Sequence, residues 1–284
     1  MFPRIETVMM STTSSQAVLF VLLTYLFSWI FWIPMVLEHV GFLSPHPLSG
    51  FLNSPFNPAP FGPLIISIVL SYGEGGTAGV RALLGRAKIL DFSRIYLFPM
   101  LLLLPFFGLV SLSVGIAFGG LVPSYMWGGD PTDLIFWIPI AFVIILVLNG
   151  PLGEEFGWRG YALPRLQADF SALVSSIVLG VVWACWHMPL FFVFSEMYYA
   201  RPFWELLVSA VAVSVLMTWL FNSTGGSVAT ALLFHTSLNL SHSLTPVTQS
   251  DLASLTYMVL LVLAAVAVVL LKGPSRLSSE QQQE

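Results

Sequence analysis

Long apolar runs separated by short polar stretches are the dominant pattern of this chain. A membrane-spanning helix needs about 20 predominantly apolar residues. This criterion predicts spans near residues 17–37, 60–72, 95–118, 134–153, 172–194, 204–221, 226–241 and 252–271. The second and seventh runs are short, so we expect them to be tilted, extended into their flanks or partly re-entrant, which would lower the count to seven or six. The pattern predicts an all-α, polytopic membrane protein, a bundle of about eight transmembrane helices.

The same pattern sets the domain boundaries. Residues 1–16 are expected to form an N-terminal arm, residues 17–271 a single membrane domain, and residues 272–284 a polar, disordered tail. The first apolar run is too long for the core of a signal peptide, and no small-residue cleavage site follows it. We therefore expect this run to remain attached as the first span.

Composition supports a protein embedded in the lipid bilayer. The chain is 57% hydrophobic and only 8% charged, and its net charge is -4. The few basic residues lie in connections and tails rather than on one continuous face, which argues against nucleic-acid binding. We expect an integral, multi-pass protein of the cell membrane.

Lysine and arginine collect on the cytoplasmic side of membrane proteins, so they test the number of spans. With eight spans, nine of the ten basic residues fall on the side of both termini, and only Arg201 falls on the other side. The opposite connections carry Glu38, Asp130, Asp133, Glu196 and Asp251. The partition predicts cytoplasmic N- and C-termini.

Charged residues inside apolar segments are costly, and the fourth span ends in the sequence EEFGWR at 154–159. On a helix Glu155 and Arg159 are four positions apart and share a face, whereas Glu154 is rotated by about 100°. Glu155 and Arg159 are expected to pair, which leaves Glu154 as the uncommitted carboxylate facing the bundle interior. An exposed ion pair at the wet end of a span is the alternative interpretation.

Two further polar sites lie within apolar runs. The fifth span contains WACWH, in which Trp183 and His187 share a helix face, and the seventh contains HTSLN, in which His235 and Asn239 do so. Taken singly, each pattern also fits a core histidine or interhelical hydrogen bonding. Their combination with the free carboxylate of Glu154 favours a functional site.

Such a set suits hydrolysis. A carboxylate and an imidazole around one water form a general base, and a second imidazole with an amide N–H stabilises an oxyanion. The same carboxylate and two histidines are equally suited to hold zinc. Spacing along the chain does not separate these alternatives, and the common signatures of soluble hydrolases, such as HExxH and GxSxG, are missing.

Together the three motifs resemble those of the CPBP family, the CAAX proteases and bacteriocin-processing (Abi) intramembrane proteases, which includes the type II CAAX prenyl endopeptidases. The family pattern is EExxxR, then [FW]xxxH, then HxxxN or HxxxD, on successive spans of an eight-helix bundle. This chain supplies each motif in order, and the specific resemblance covers residues 134–242.

The resemblance implies an intramembrane endopeptidase in which Glu154 and His187 activate a water molecule and His235 and Asn239 hold the oxyanion. The supporting residues would be Glu155, Arg159 and Trp183. The family has been described both as metalloproteases and as glutamate proteases. We expect no required cofactor, with zinc bound by Glu154, His187 and His235 as the alternative.

The substrate is expected to be a peptide or a membrane-associated protein, with prenylated CAAX proteins among the candidates. A proton-coupled transporter is the alternative from another class, because intramembrane Glu, His and Arg also form proton relays. Straight helices would leave Glu154 nearer the membrane edge than His235. We therefore predict a break or kink in the sequence NGPLG at 149–153 that brings Glu154 deeper.

Overall fold

The computed structural model describes residues 12–88, 90, 92–125, 130–193 and 201–278. Within these residues the chain is helical and contains no strand. The main helices are α1 (Thr12–His39), α2 (Gly62–Gly85), α3 (Leu103–Gly119), α4 (Leu134–Leu148), α5 (Pro151–Glu155), α6 (Ala172–Trp186), α7 (Phe203–Ser223), α8 (Val228–Leu244) and α9 (Asp251–Lys272). Short helical turns occupy several connections, including Leu97–Leu101 before α3 and Leu163–Leu166 before α6. The predicted all-α membrane fold is confirmed.

Six stretches of the described chain are long and apolar enough to cross a membrane. The two predicted spans that do not meet this criterion are the two short ones, which correspond to α2 and α8. Helix α8 has 17 residues and is about 26 Å long at 1.5 Å per residue, slightly less than a hydrocarbon core of about 30 Å.

Helix α2 is shortened by a sharp kink. Gly75 and Gly76 have non-helical dihedral angles, and the φ of Gly76 is +57°. An ideal Cβ placed on Gly79 would lie 2.2 Å from the carbonyl oxygen of Ser71, so the second half of the helix folds back against the first. Residues 62–74 alone span only about 20 Å.

The helices of the bundle have an apolar outer surface. Leu26 on α1, Phe136 on α4 and Leu263 on α9 are each more than half exposed. Small polar side chains such as Ser28 and Ser67 are fully buried between helices. Apolar surface outside and small polar residues at helix contacts are typical of bundles that face lipid.

One end of the bundle gathers basic residues. Arg165 donates to Gln16 near the start of α1 (Nε to Oε1, 3.3 Å). Asn222 at the end of α7 donates to the carbonyl of Arg276 after α9 (2.7 Å). The guanidinium of Arg86, after α2, lies beside the connection between α7 and α8. We call this the basic end, defined by Arg86, Arg165 and Arg276.

The opposite end carries Arg201, the one basic residue that the sequence places on the other side from the termini. Arg201 pairs with Glu205 and, at 3.3 Å, with Asp251. The backbone N–H of Ser124 donates to Gln249 at the same end (3.0 Å). Arg201 therefore lies at the end opposite the basic end, as the partition predicts.

Which end faces the cytoplasm stays a prediction, and two residues used in that argument, Arg4 and Glu196, lie outside the described residues. The predicted N-terminal arm extends too far along the chain. Helix α1 begins at Thr12, inside the predicted arm of residues 1–16.

The predicted disorder from residue 272 is wrong as far as residue 278, because this segment packs onto the bundle. Leu277 is fully buried, and the carbonyl of Ser275 accepts a hydrogen bond from the N–H of Ala172 (2.9 Å). Residues 279–284 lie outside the described residues.

Candidate active site

A break in the chain positions the first carboxylate. Helix α4 ends at Leu148, and Gly150 adopts a φ of +103°, which glycine tolerates far better than other residues. Pro151 then starts α5, at a position where its missing N–H costs nothing. The amide of Asn239 donates to the carbonyl of Asn149 (2.8 Å) and satisfies an acceptor that the break exposes. The predicted break in NGPLG is present.

After the break the chain runs closely along the start of α2. An ideal Cβ on Gly153 would lie 2.5 Å from the carbonyl oxygen of Pro60, so only glycine permits this approach. Helix α5 continues into a π-helical turn, Phe156–Ala162, whose residues are all buried. Single π-helical turns are frequent at functional sites because they redirect side chains.

Glu154 is buried, with 4% of its surface exposed, and its Oε2 accepts a hydrogen bond from Trp183 Nε1 at 2.6 Å. The other oxygen of Glu154 and the amide nitrogen of Asn239 both lie close to Gly150. An ideal Cβ on Gly150 would lie 2.6 Å from Glu154 Oε1 and 3.8 Å from Asn239 Nδ2. The carboxylate of the fourth span and the amide of the seventh therefore meet beside the chain break.

Glu155 is fully buried and binds two partners. Both of its oxygens accept from Arg159 Nη1, each at 3.0 Å, which confirms the predicted pair. Glu155 Oε1 also lies 2.7 Å from Nδ1 of His235 on α8. Arg159 is fully buried too, and its remaining nitrogens have no hydrogen-bond partner in the described part of the chain. The pair is thus an internal brace, and the exposed ion pair considered from the sequence is wrong.

His187 follows directly after α6. Its Nδ1 lies 2.8 Å from the carbonyl oxygen of Trp183. Because a carbonyl only accepts hydrogen bonds, Nδ1 carries the proton, and Nε2 is the basic nitrogen of the neutral ring. The ring packs between those of Trp186 (centroids 4.8 Å apart) and Trp32 (6.3 Å).

Trp183 contacts Glu154, Arg159 and both histidines of the site. Besides bonding Glu154 and His187, its ring lies edge-on to His235, with centroids 5.3 Å apart. The guanidinium carbon of Arg159 lies 5.3 Å from the centre of the same ring. The sequence marks Trp183 only as a supporting residue, whereas the structure makes it the common neighbour of all three motifs.

The arrangement brings together the buried carboxylate of Glu154, which is bound by the Trp183 indole, and two histidines that contact the same tryptophan. Among the residues that the structure describes, no three His, Cys, Asp or Glu side chains are grouped closely enough to hold one metal ion. The zinc set predicted as the alternative, Glu154, His187 and His235, is not among such groups, and metal dependence stays a prediction.

Known proteins resemble this chain over the segment that contains these residues. A family model described as type II CAAX prenyl endopeptidase Rce1-like matches residues 136–241. CAAX prenyl protease 2 of Methanococcus maripaludis is 28% identical over 265 residues, which are 91% of this chain and 95% of that protein. Both findings support a CAAX-type intramembrane protease of the CPBP family. The matched segment of the chain contains Glu154, His187, His235 and Asn239 and agrees closely with the range predicted from the motifs.

Two contacts of the protease were missed by sequence reasoning. The bond between Glu155 and His235 joins residues 80 positions apart, and no local periodicity reports it. The bond from the Trp183 indole to Glu154 was also missed. The sequence did contain a clue to this second bond. A buried indole N–H such as that of Trp183 requires an acceptor, and few acceptors exist in this apolar bundle.

Proposed function

We propose that this protease cleaves prenylated proteins near their C-termini. The names of the matched family and of the Methanococcus protein support this substrate class. The observation that carries the proposal is the buried carboxylate of Glu154, which has a tryptophan donor and lies beside a histidine and an amide. An intramembrane site of this kind is suited to a peptide that its own lipid tethers to the bilayer.

In the proposed mechanism Glu154 and His187 act on the attacking water. As the water oxygen bonds to the scissile carbonyl carbon, its proton passes to the Glu154 carboxylate, and Nε2 of His187 accepts a hydrogen bond from the same water. The proton then moves to the leaving amine as the C–N bond breaks, which yields a carboxylate and a new N-terminus. The indole of Trp183 holds Glu154 in position throughout.

His235 and Asn239 stabilise the oxyanion in this proposal. His235 Nδ1 lies 2.7 Å from the Glu155 carboxylate, and in this proposal the Nε2 of the same ring is the donor toward the substrate. A primary amide has two N–H groups, and Asn239 uses one on the Asn149 carbonyl, which leaves one for the oxyanion. Removing one such donor typically lowers turnover about 100- to 1000-fold, and we expect this loss in Asn239→Ala.

The first test uses a farnesylated peptide ending in a CAAX sequence, the same peptide without lipid, and purified enzyme. We expect wild type to cleave the lipidated peptide far faster and Glu154→Gln to be inactive although it accumulates as folded protein. Equal cleavage of both peptides would overturn the prenyl requirement. Full activity of Glu154→Gln would overturn the role of Glu154.

The second test addresses metal dependence. With Glu154 and His187 acting directly, the purified enzyme should contain no stoichiometric zinc and should stay active after treatment with a strong chelator. Metal content is measured by mass spectrometry for wild type, His187→Ala and His235→Ala. One tightly bound zinc that is lost in either histidine variant would replace the metal-free mechanism by a metalloprotease mechanism.

A further inference from the structure

A second polar cavity lies at the basic end, in the bend of α2 and away from the catalytic carboxylate. Its volume is about 260 Å³, far larger than the space of a single water molecule. The residues that line it are Ser71, Glu74, Gly75, Gly79, Ala82, Leu83, Arg86, Gly160, Tyr161 and Arg165. The kink at Gly75 and Gly76 creates this space by folding α2 back on itself.

On one wall of the cavity, the charges of Arg165 and Glu74 neutralise each other. Arg165 forms an ion pair with Glu74, and its guanidinium carbon lies 3.4 Å from the centre of the Tyr161 ring. The Tyr161 hydroxyl donates to the same carboxylate. Glu74 therefore has two donors and does not leave a free negative charge in the cavity.

The other wall carries a cation without a partner. Arg86 is partly buried and forms no hydrogen bond or ion pair with any other residue that the structure describes. Burial, together with repulsion from Arg165, lowers the pKa of the Arg86 guanidinium below its ordinary value, so an anion here would be favourable. Ser71 is 5% exposed, and its hydroxyl likewise forms no hydrogen bond within the described residues. A positive charge and a donor hydroxyl thus line the same cavity.

We propose that this cavity binds the phosphate group of an anionic phospholipid, with Arg86 as its principal ligand and Ser71 as a second donor. Arginine is well matched to phosphate because its planar donors form strong, charge-assisted hydrogen bonds. Basic pockets between membrane helices on the positively charged side of a protein are suited to lipid head groups. The position at the basic end, between α2 and the π-helical turn that follows Glu155, provides this setting.

The test measures lipid binding by the full chain purified in detergent. Dioleoyl phosphatidylglycerol is titrated against wild type, and bound lipid is counted by native mass spectrometry, with dioleoyl phosphatidylcholine as the zwitterionic comparison. We expect one preferentially retained phosphatidylglycerol and an affinity about tenfold weaker in Arg86→Gln. The matched control is Arg81→Gln, which removes an exposed arginine from the same helix segment and should bind as wild type does.

Size-exclusion chromatography and circular dichroism check that both variants remain folded, and Arg86→Met, which is uncharged and similar in length, replaces Arg86→Gln if the latter does not fold. Equal binding of phosphatidylglycerol to wild type and to the Arg86 variant that folds would overturn the site. A parallel titration with inorganic phosphate separates the two sources of phosphate. Arg86-dependent binding of inorganic phosphate without any preference for phosphatidylglycerol would overturn the assignment to a lipid.

Discussion

The hydrogen bond from Trp183 to Glu154 gives the sharpest test of the site, through the substitution Trp183→Phe. Phenylalanine keeps an aromatic ring but removes the indole N–H, which lies 2.6 Å from Glu154 Oε2. The carboxylate is only 4% exposed, so water does not readily replace the lost donor. Hydrogen bonds to charged groups contribute about 1.5–3 kcal/mol.

If this free energy is lost from the transition state, kcat/KM falls about 10- to 150-fold, because each 1.36 kcal/mol is a factor of ten. The assay follows cleavage of a fluorogenic farnesylated peptide by purified enzyme. The control is Trp186→Phe, which removes the same atoms one turn away. Trp186 is fully buried, but its Nε1 has no partner within the described residues. The ratio between the two variants therefore isolates the hydrogen bond from the loss of packing.

A Trp183→Phe enzyme with the same kcat/KM as Trp186→Phe would refute the reasoning. It would mean that the indole positions nothing that the reaction uses and that Glu154 is held by other groups. A parallel drop of both variants, with less folded protein, would point to packing alone.

Three other substitution experiments follow. Glu155→Gln should lower the yield of folded protein, because breaking a buried ion pair costs about 3–5 kcal/mol and leaves Arg159 buried without its counter-charge. Thermal unfolding in detergent measures the loss of stability, and an unchanged unfolding midpoint would contradict the prediction. Gly150→Ala should abolish most activity while folded protein persists, because its Cβ would lie 2.6 Å from the Glu154 carboxylate at a φ of +103°; wild-type turnover would show that the break adjusts freely. Single cysteines introduced at Lys88 and Lys272 should be labelled from the cytoplasmic side, and one at Asp130 from the other; labelling of the first two from opposite sides would contradict the alternation.

Most of the fold follows from the sequence because lipid imposes a simple rule on it. A segment that crosses the bilayer must be apolar and must satisfy its own backbone hydrogen bonds, so the apolar runs predict the helices directly. The predicted end of the second span near residue 72 lies close to the kink at Gly75. The return of residues 77–85 against Ser71 was not predictable, since glycines indicate a break but not its direction.

The sequence predicts candidate residues of the site but not the contacts between them. Spacing along one helix predicted the pairing of Glu155 with Arg159, because both residues lie on one face. The contact of Glu155 with His235 depends on how α8 packs against the segment after the break, and a single sequence contains no measure of that packing. The same holds for the ordered segment around Leu277, whose composition resembles that of a disordered tail.

The order in which the chain is synthesised gives the segment after α9 a further significance. The first N–H groups of α6 have no partners within their own helix, and the carbonyls of Pro274 and Ser275 accept from two of them. Helix α6 carries Trp183 and leads directly to His187. A ribosome must therefore add 89 more residues after Trp186, up to Ser275, before that helix receives these caps. During this interval the nascent protease is expected to be loosely assembled at its active-site helix, which would delay proteolysis until the bundle has closed.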